Sequence, residues 1–520
     1  MENAETNQSR RKSKRVDAVT NLDTEGRQNI RQGKTLFFSI LCSLLVGGLA
    51  VTDQSLWMDE ASSAVKAVQP SLASWWTTFV IEKGSDLQMP FYMFYLWAWC
   101  KAFGMSEIAL RSANLPWFAA GVCALLWGFA RNRRLQLAIT VLTLINAFLW
   151  YYISEARPYI VLFAFSALSA ACLFHLRENQ ERSIKSPFWF RFFCLGIVGI
   201  CATNLIAVPW ALAAIGAFMF WIGPRLALQT VRRFIWSVAL TACVLITLAV
   251  FYCWTLRPSG HAFDVGRTRF TTLGFVFYEL LGILGLGPSR LALRESGTRA
   301  LAGYLPEVSL GVLAALFLCV AGASQLRKKA TTRDLILCGI IVGLPSVVAI
   351  GGAEVTHFRI LGRHFMPLVP LILALQATGL RRLLFDSSVL LRAIALAGCV
   401  VLLISALEIR FAPRHRRDDY RAAVAETRQA IGRGKKVWWV ADEVTGRYYN
   451  LPLSSANLLS VKALSPTDLD GVQQPDLIVF SKPDIYDPSG NITVYLLRHD
   501  FKVTEVLPAF QIFEKNPTPR

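Results

Sequence analysis

Long apolar stretches separated by short polar segments recur from residue 36 to residue 408. A helix needs about 17–25 apolar residues to cross the hydrocarbon core of a membrane, so stretches of this length predict membrane-spanning helices. The predicted fold class is therefore mainly α, a polytopic transmembrane helical bundle. Eleven spans are predicted, at approximately residues 36–51, 108–130, 135–153, 159–176, 189–205, 207–222, 234–256, 307–325, 335–352, 364–380 and 389–408.

One further apolar segment, residues 89–104, is shorter than most spans and carries Trp97 and Trp99. Tryptophan is enriched where a membrane meets water, so this segment is predicted to lie against the outer surface of the membrane. If the segment crossed the membrane, the basic cluster at residues 131–134 would face outwards, against the usual distribution of arginine in membrane proteins.

The pattern changes after residue 409. A polar helical pattern covers residues 418–431, and strand-like runs follow at 437–441, 477–480 and 510–513. These elements predict a small soluble α/β domain. The chain is thus divided into a basic tail at residues 1–35, predicted to be cytoplasmic and disordered, a membrane domain at 36–409 and an extracytoplasmic domain at 410–520.

Composition and charge support the membrane class and orient it. The 520 residues are 54% hydrophobic with a mean hydropathy of +0.42, and 54 Lys and Arg outnumber 35 Asp and Glu. Basic clusters beside the spans all face the cytoplasm if the N-terminus is cytoplasmic, as positive-inside bias requires. We therefore expect a multi-pass protein of the plasma (inner) membrane. No basic face with interleaved aromatics is present, which excludes nucleic acid as a partner.

The same orientation places residues 52–107, 154–158, 257–306 and 353–363 on the outer side, together with the tail. These outer segments are the predicted location of any chemistry. The eleven Cys residues are scattered through apolar segments, and no Cys/His spacing predicts zinc.

Carboxylates recur in the first outer segment. Asp59 and Glu60 are adjacent just beyond the first span, and Asp86 precedes Pro90 and Tyr92. Acidic residues and proline are also common in the first turn of an ordinary helix, and loop carboxylates are often simply solvated. A partly buried carboxylate at this position could instead act as a general base toward a hydroxyl.

Cations appear on the outer side, where few are expected. Arg157 lies between Glu155 and Tyr159 in a short turn, and His357, Arg359, Arg363 and His364 cluster at the entrance of a late span. Arginine can bind phosphate through its planar set of donors. Alternatively, these cations could extend from the span to the membrane interface, or they could anchor anionic lipid headgroups.

Taken in order, five sequence elements resemble those of membrane glycosyltransferases of the GT-C fold, which include protein O-mannosyltransferases and the aminoarabinose transferases of lipid A. The resemblance covers roughly residues 36–410. The sequence departs from the family at Gln88-Met89-Pro90, where His-Pro-Pro or Lys-Pro-Pro is more usual, so the sugar is not implied. The elements are Asp59-Glu60, Asp86-x-x-x-Pro90-x-Tyr92, Gly104-x-x-Glu107-x-x-x-Arg111, Glu155-Ala156-Arg157-Pro158-Tyr159 and Gly362-Arg363-His364-Phe365.

The resemblance implies a glycosyltransferase that moves a sugar from a polyprenyl-phosphate donor to a hydroxyl of an unidentified glycan, lipid or protein acceptor at the outer face of the membrane. A single displacement would invert the anomeric configuration. The resemblance assigns catalysis to Asp59, Glu60 and Asp86, with Asp59 as the general base. It implies no definite cofactor, and a divalent cation held by Asp59 and Glu155 is left open.

Four cations, Arg157, His357, Arg359 and Arg363, are the candidates for binding the donor phosphate, and Glu155, Tyr92 and Tyr159 are expected to shape the site. Two other functions remain open. A secondary transporter also has many spans, although transporters usually carry internal repeats and ionisable residues near the midplane. The remaining alternative is a non-catalytic membrane assembly protein whose soluble tail binds a partner.

Overall fold

The structure, a computed structural model, describes residues 33–82, 84–129, 133–178, 187–256, 270–328, 330–355, 357, 359–461, 469 and 471–515. Almost all of the predicted basic tail lies outside these residues. The helices of the membrane part are α1 (Gly33–Ala50), α2 (Met58–Ala67), α3 (Leu72–Ile81), α4 (Pro90–Phe103), α5 (Glu107–Ser112), α6 (Leu115–Phe129), α7 (Arg133–Leu144), α8 (Ala147–Ile153), α9 (Tyr159–Glu178), α10 (Pro187–Thr203), α11 (Val208–Ile222), α12 (Pro224–Arg233), α13 (Ile235–Leu256), α14 (Phe270–Leu280), α15 (Arg290–Ser296), α16 (Leu305–Arg327), α17 (Thr332–Val355), α18 (Val369–Phe385) and α19 (Val389–Phe411).

Short 3-10 helices connect several of these elements, at Ser85–Gln88, Leu205–Ala207, Leu284–Leu286, Gly297–Tyr304, Gly362–Leu368 and Pro413–His415. The C-terminal part contains α20 (Tyr420–Gly432), α21 (Glu443–Tyr448), α22 (Pro483–Tyr486) and α23 (Asn491–Arg498), with strands β1 (Val437–Val440), β2 (Leu458–Ser460), β3 (Leu477–Ser481), β4 (Phe501–Leu507) and β5 (Phe510–Lys515).

Every predicted span has a helical counterpart. Within the described residues, nine helices are long and apolar enough to cross a membrane, and α7 with α8 makes a tenth if the pair is one span bent by 58°. The eleventh predicted span corresponds to α10, whose 17 residues fall just short of the 18 or more that the other candidate spans reach when adjoining helical turns are included. Helix α4 has 14 residues, too few to cross a membrane, in line with its predicted position on the surface.

Helix α9 lies in the middle of the bundle, packed against α6, α10, α11 and α18. Small residues allow the close approach, because an added Cβ at Gly121 would stand 2.4 Å from Phe163 and one at Gly128 would stand 2.1 Å from Ala171. The N-terminal end of α9 follows directly on Glu155 and Arg157, so the centre of the bundle positions this turn.

The C-terminal part is a five-stranded mixed sheet with the strand order β2-β1-β3-β5-β4. Strand β1 is parallel to both neighbours, and all four of its residues are buried, as expected for a central parallel strand. The predicted α/β character is confirmed. Strands β2 and β4 were not predicted, because β2 has only three residues and β4 is a largely exposed edge strand.

The C-terminal sheet domain docks on the segment that follows α1, which the sequence predicts to lie on the outer side. The backbone N–H of Leu56 donates to the Tyr449 hydroxyl at 2.7 Å, and that hydroxyl donates to Glu107 Oε1 at 2.9 Å. The backbone N–H of Arg421 donates to Ser55 Oγ at 3.1 Å. These contacts place the domain over the same end of the bundle as α2.

Candidate active site

Helix α2 begins with the acidic pair found in the sequence. Asp59 and Glu60 occupy its first turn, where the unpaired N–H groups of the helix favour negative charge. The backbone N–H of Trp57 donates to Glu60 Oε2 at 3.4 Å, which closes the start of the helix. Adjacent residues on a helix point about 100° apart, so the two carboxylates reach different surroundings.

Glu60 is fully buried and surrounded by donors. Arg111 binds it through two nitrogens, Nε at 2.9 Å and Nη2 at 2.7 Å, and Arg417 Nη1 lies 2.8 Å from Oε2. The backbone N–H of Ala156 donates to Oε1 at 2.8 Å. Burial alone would raise the pKa of Glu60, but Arg111 and Arg417 lower it to about 2. Such a carboxylate holds the surrounding segments together and is a poor proton acceptor.

Asp86 is a second buried carboxylate whose oxygens are occupied. Lys66 Nζ lies 2.7 Å from Oδ2, and Arg157 Nη1 lies 2.6 Å from Oδ1. The hydroxyls of Ser62 and Ser63 donate to the same carboxylate at 2.6 and 2.8 Å. Burial opposes the charge, but Lys66 and Arg157 hold the pKa of Asp86 well below its usual range. Asp86 therefore fixes the position of Arg157.

Asp59 differs from the other two acids, because its side chain keeps 24% of its surface exposed. Arg363 Nη1 lies 3.1 Å from Asp59 Oδ2, and Arg157 Nη1 donates to the backbone carbonyl of Asp59 at 3.2 Å. One accessible carboxylate and two guanidinium groups from distant parts of the chain thus meet at one point. The accessible oxygen can receive a proton from a molecule that enters the site.

The segment that carries Arg363 is held by Glu279. The backbone N–H of Gly362 donates to Glu279 Oε2 at 2.8 Å, and Arg290 Nη2 lies 2.6 Å from Glu279 Oε1. An added Cβ at Gly362 would stand 2.2 Å from Glu279 Oε2, so this approach requires glycine. The Arg363 guanidinium also lies over the ring of Tyr159, 5.5 Å from its centroid.

Glu155 is buried between these groups, and neither of its carboxylate oxygens has a hydrogen-bond partner among the described residues. Burial raises its pKa, opposed by the charges of Arg417, Arg363 and Arg290. Most buried polar atoms in proteins are paired, so an unpaired carboxylate here marks an unusual environment. Glu155 therefore lies among arginine side chains but, unlike Glu60 and Asp86, accepts no hydrogen bond from the described residues.

Unpaired donors accumulate around these acids. In the described part of the chain, five buried donor atoms near the acids have no hydrogen-bond partner. Buried donors without partners are rare in folded proteins and indicate a place for water or a ligand. They are the Nε atoms of Arg157, Arg290 and Arg363, the indole Nε1 of Trp57 and the hydroxyl of Tyr92.

The structure thus brings together eight of the ten candidate residues: Asp59, Glu60, Asp86, Tyr92, Glu155, Arg157, Tyr159 and Arg363. The other two, His357 and Arg359, are exposed on the connection after α17, and His357 adopts a positive φ of 52°. His364 is buried, and its Nδ1 accepts the backbone N–H of Leu361 at 3.0 Å. The outer residues 257–269 lie outside the described residues.

Four site residues were missed from the sequence: Lys66, Glu279, Arg290 and Arg417. Lys66 could have been found, because Ser62, Ser63 and Lys66 share one face of α2 at helical spacing. The others have no local sequence pattern, since each reaches the site from a different element. Arg111 belonged to a recognised element but had no assigned role. Among the described residues, no group of three His, Cys, Asp or Glu side chains could hold a metal ion.

Most of the chain is similar in structure to a solved protein. It matches the apo crystal structure of ArnT from Cupriavidus metallidurans with a TM-score of 0.53 and 13% identity, over 92% of this chain and 97% of that chain. A second structure of ArnT, bound to undecaprenyl phosphate, matches over the same shares with a TM-score of 0.49 and 13% identity. No protein-family model and no curated protein matches the sequence. The chain has the fold of ArnT, and the predicted fold class is confirmed.

Proposed function

We propose that this protein is a membrane glycosyltransferase that transfers a sugar from a polyprenyl-phosphate donor to an acceptor hydroxyl at the outer face of the membrane. One observation carries the proposal: Asp59 is the accessible member of three neighbouring acids, and Arg363 and Arg157 contact it directly. A proton acceptor and a pair of phosphate-binding groups are the two requirements of this reaction. The fold shared with ArnT supports the same function.

In the proposed reaction Asp59 takes the proton of the acceptor hydroxyl. The acceptor oxygen then attacks the anomeric carbon of the donor, and the bond between this carbon and the phosphate oxygen breaks. Attack from the face opposite the leaving group inverts the anomeric configuration. Glu60 and Asp86 serve as positioning residues, because their oxygens are already engaged by Arg111, Arg417, Lys66 and Arg157.

The departing phosphate gains negative charge as the bond breaks. The buried Nε–H groups of Arg363 and Arg157 have no partner in the part of the chain that the structure describes, so both can donate to phosphate oxygens. Charge-assisted hydrogen bonds from guanidinium groups are strong and directional, and they strengthen as charge develops on the leaving group. Arg363 would release Asp59 from its ion pair when it turns to the phosphate, which frees the base for the acceptor.

A groove in the membrane part suits the polyprenyl chain. It lies between α11 and α17, has a volume of about 710 Å³ and is lined almost entirely by apolar side chains, including Leu212 and Val348. Trp210, on α11 beside the groove, packs edge to face with Phe365 at a centroid distance of 5.5 Å. Phe365 is two residues from Arg363, so a lipid tail in the groove would bring its phosphate toward the proposed site.

Replacement of Asp59 by asparagine tests the proposed base. General-base catalysis contributes roughly 10²- to 10⁴-fold to rate, so Asp59→Asn should lose turnover by about that factor. The measurement is transfer of radiolabelled sugar from a polyprenyl-phosphate donor in membranes that contain the variant. Because Asp59 is partly exposed, the variant should unfold at the wild-type temperature.

Asp53→Asn is the matched control, since Asp53 is an exposed acid in the same outer segment. This variant should transfer sugar at the wild-type rate. Near-normal transfer by Asp59→Asn would contradict the assignment of the base.

Proton NMR of the product should show an inverted anomeric configuration, and retention would contradict the single displacement.

A divalent cation is a candidate cofactor of the proposed site. Asp59 is engaged by a single guanidinium side chain, and Glu155 accepts no hydrogen bond from the described residues, so both carboxylates have oxygens available for a cation. These two residues would hold such a cation. Transfer measured before and after chelation, with re-addition of Mg²⁺ or Mn²⁺, decides whether the ion takes part.

A further inference from the structure

A cavity of about 130 Å³ lies between the membrane part and the C-terminal domain. Trp57, Arg290 and Arg294 line it from the membrane part, and Arg416 and Lys482 line it from the C-terminal side. Neither part of the chain forms this cavity alone. The C-terminal domain therefore contributes directly to a cavity that borders the proposed active site.

The cavity is rich in positive charge. Five cationic side chains line it, against the single carboxylate of Asp418. Four of these cations are balanced locally: Lys482 pairs with Asp418, Arg290 with Glu279, Arg294 with Asp484 and Arg417 with Glu60. Arg416 is exposed and has no ion pair within the described residues, so it faces the cavity with its charge uncompensated.

Two lining residues have buried donors without an acceptor. The Nε1–H of Trp57 and the Nε–H of Arg290 are buried and have no hydrogen-bond partner in the described chain. Both atoms can only donate, so a ligand that satisfies them must bring acceptor oxygens. This observation is independent of the charge count and points to the same class of ligand.

The backbone at Lys482 is a third indication. Lys482 has a φ of 43°, in the left-handed region that non-glycine residues rarely adopt, and only 6% of its surface is exposed. Its Nζ pairs with Asp418 and lies 3.9 Å from the Met58 sulfur. Strained backbone is retained where it places a functional group, and here it holds a buried ammonium group at the cavity wall.

We propose that this cavity binds the anionic group, a phosphate or carboxylate, of the acceptor molecule. The inference rests on the proposed function, since it assigns a chemical class to the acceptor. Trp57 links the two sites: it lines the cavity, and the guanidinium of Arg363, which binds Asp59, lies 5.8 Å from the Trp57 ring centroid. An acceptor anchored by its anion would present a neighbouring hydroxyl to Asp59 across this ring.

Binding of glycerol 3-phosphate, a small molecule with hydroxyls beside a phosphate, tests the inference. Detergent-solubilised protein is first saturated with a polyprenyl phosphate, so that the donor site is filled, and binding is then measured by calorimetry. The wild type should bind the probe, and Arg416→Gln and Lys482→Gln should each weaken binding about tenfold, as expected for one lost charge-assisted hydrogen bond. Lys502→Gln, an exposed lysine on β4, is the matched control and should bind like the wild type.

Two outcomes would overturn the inference. If polyprenyl phosphate abolishes binding of the probe, both phosphates occupy one site, and the cavity has no separate role. If Arg416→Gln binds the probe as tightly as the wild type does, the cavity is not the binding site. Arg416 is exposed, so this variant should fold even if Lys482→Gln does not.

A last comparison separates this inference from the proposed function. Asp59→Asn should bind glycerol 3-phosphate as the wild type does, because Asp59 does not line the cavity. In a transfer assay with the native acceptor, Arg416→Gln should raise the KM for the acceptor about tenfold and leave the affinity for polyprenyl phosphate unchanged. An effect on the affinity for polyprenyl phosphate instead would assign the cavity to the donor and contradict the inference.

Discussion

At the scale of single residues, Glu155 is the site residue that we expect to lower the stability of the folded protein. Its carboxylate is buried and accepts no hydrogen bond from the described residues, and burial raises its pKa despite three nearby arginines. The charged form is therefore less stable in the folded protein than in the unfolded chain. Glu155→Gln should increase the free energy of unfolding at pH 7.5, by about 1–3 kcal/mol, the usual cost of an unpaired buried polar group.

The pH dependence gives this prediction a sign that can be checked. At high pH, Glu155 is charged in both the folded and the unfolded protein, so its burial lowers the stability of the wild type by the full amount. Below its ordinary pKa of 4.5, Glu155 is protonated in both the folded and the unfolded protein, and the loss of stability disappears. Thermal unfolding followed by tryptophan fluorescence should show the advantage of Glu155→Gln shrinking as the pH falls. Glu295→Gln, an exposed residue, should show no difference at any pH.

Asp86 should behave in the opposite way. Asp86→Asn would leave Lys66 and Arg157 buried without their counter-charge, and loss of one partner of a buried pair costs about 3–5 kcal/mol. Because the pKa of Asp86 is lowered from 3.8, its contribution is complete above that pH and is lost as the pH falls below it. The measurement is thermal unfolding of the variant between pH 3 and 7.5.

The control for Asp86 is the exposed ion pair of Arg294 with Asp484, whose side chains are 28% and 53% exposed. Asp484→Asn should change the free energy of unfolding by less than about 1 kcal/mol, because exposed pairs contribute little. Equal effects of the two substitutions would contradict the role of Asp86 as a buried anchor.

The acids illustrate what the sequence could predict at this scale. Asp59, Glu60 and Asp86 were identified from their positions beside apolar stretches, and all three lie together in the structure. Their separate roles were not predictable, because they depend on partners far away in the chain. Arg417 is 357 residues from Glu60, and no local pattern indicates that pair.

At the scale of elements, the 3-10 helix Gly362–Leu368 determines where Arg363 points. A methyl group at Gly362 would stand 2.2 Å from Glu279 Oε2 and 2.8 Å from Glu279 Cβ, so Gly362→Ala must displace Glu279 or the helix. Either shift moves the Arg363 guanidinium away from Asp59. Misplacement of a catalytic group by about 1 Å can cost about 10²-fold in rate, so kcat should fall by roughly tenfold to a hundredfold.

Gly351→Ala is the matched control, because a Cβ at Gly351 meets open space. That variant should transfer sugar at the wild-type rate and unfold at or slightly above the wild-type temperature, since alanine favours a helix more than glycine does. Wild-type kcat in Gly362→Ala would show that the contact with Glu279 does not position Arg363.

The elements themselves were largely predictable, and the exceptions have physical reasons. Spans are defined by apolar length, and each predicted span has a helix in the structure. The break between α7 and α8 was missed, because the apolar stretch continues through the bend at Asn146, which caps α8 by accepting the backbone N–H of Leu149 at 3.0 Å. Likewise the edge strand β4 lacks the buried positions that made β1 and β3 recognisable.

At the scale of the whole molecule, the C-terminal domain and the acids lie at the same end of the bundle. Arg417 binds Glu60, and Arg447 binds Glu82 at 3.0 Å, so both groups must face the same side of the membrane. By positive-inside bias, the basic clusters at residues 232–233, 327–329 and 381–382 predict that this side is the outer one. A C-terminal fusion to alkaline phosphatase, which is active only outside the cytoplasm, should therefore be active in a bacterial host.

The same fusion made after Arg327, between α16 and α17, should be inactive, while green fluorescent protein at that point should fluoresce. The opposite pattern would place Asp59 in the cytoplasm, where sugar nucleotides are the common donors. Arg363 and Arg157 would then meet a water-soluble phosphate, and the apolar groove between α11 and α17 would have no part in donor binding. Orientation therefore decides between a lipid-linked and a soluble donor, because the cations of the site would bind the phosphate of either.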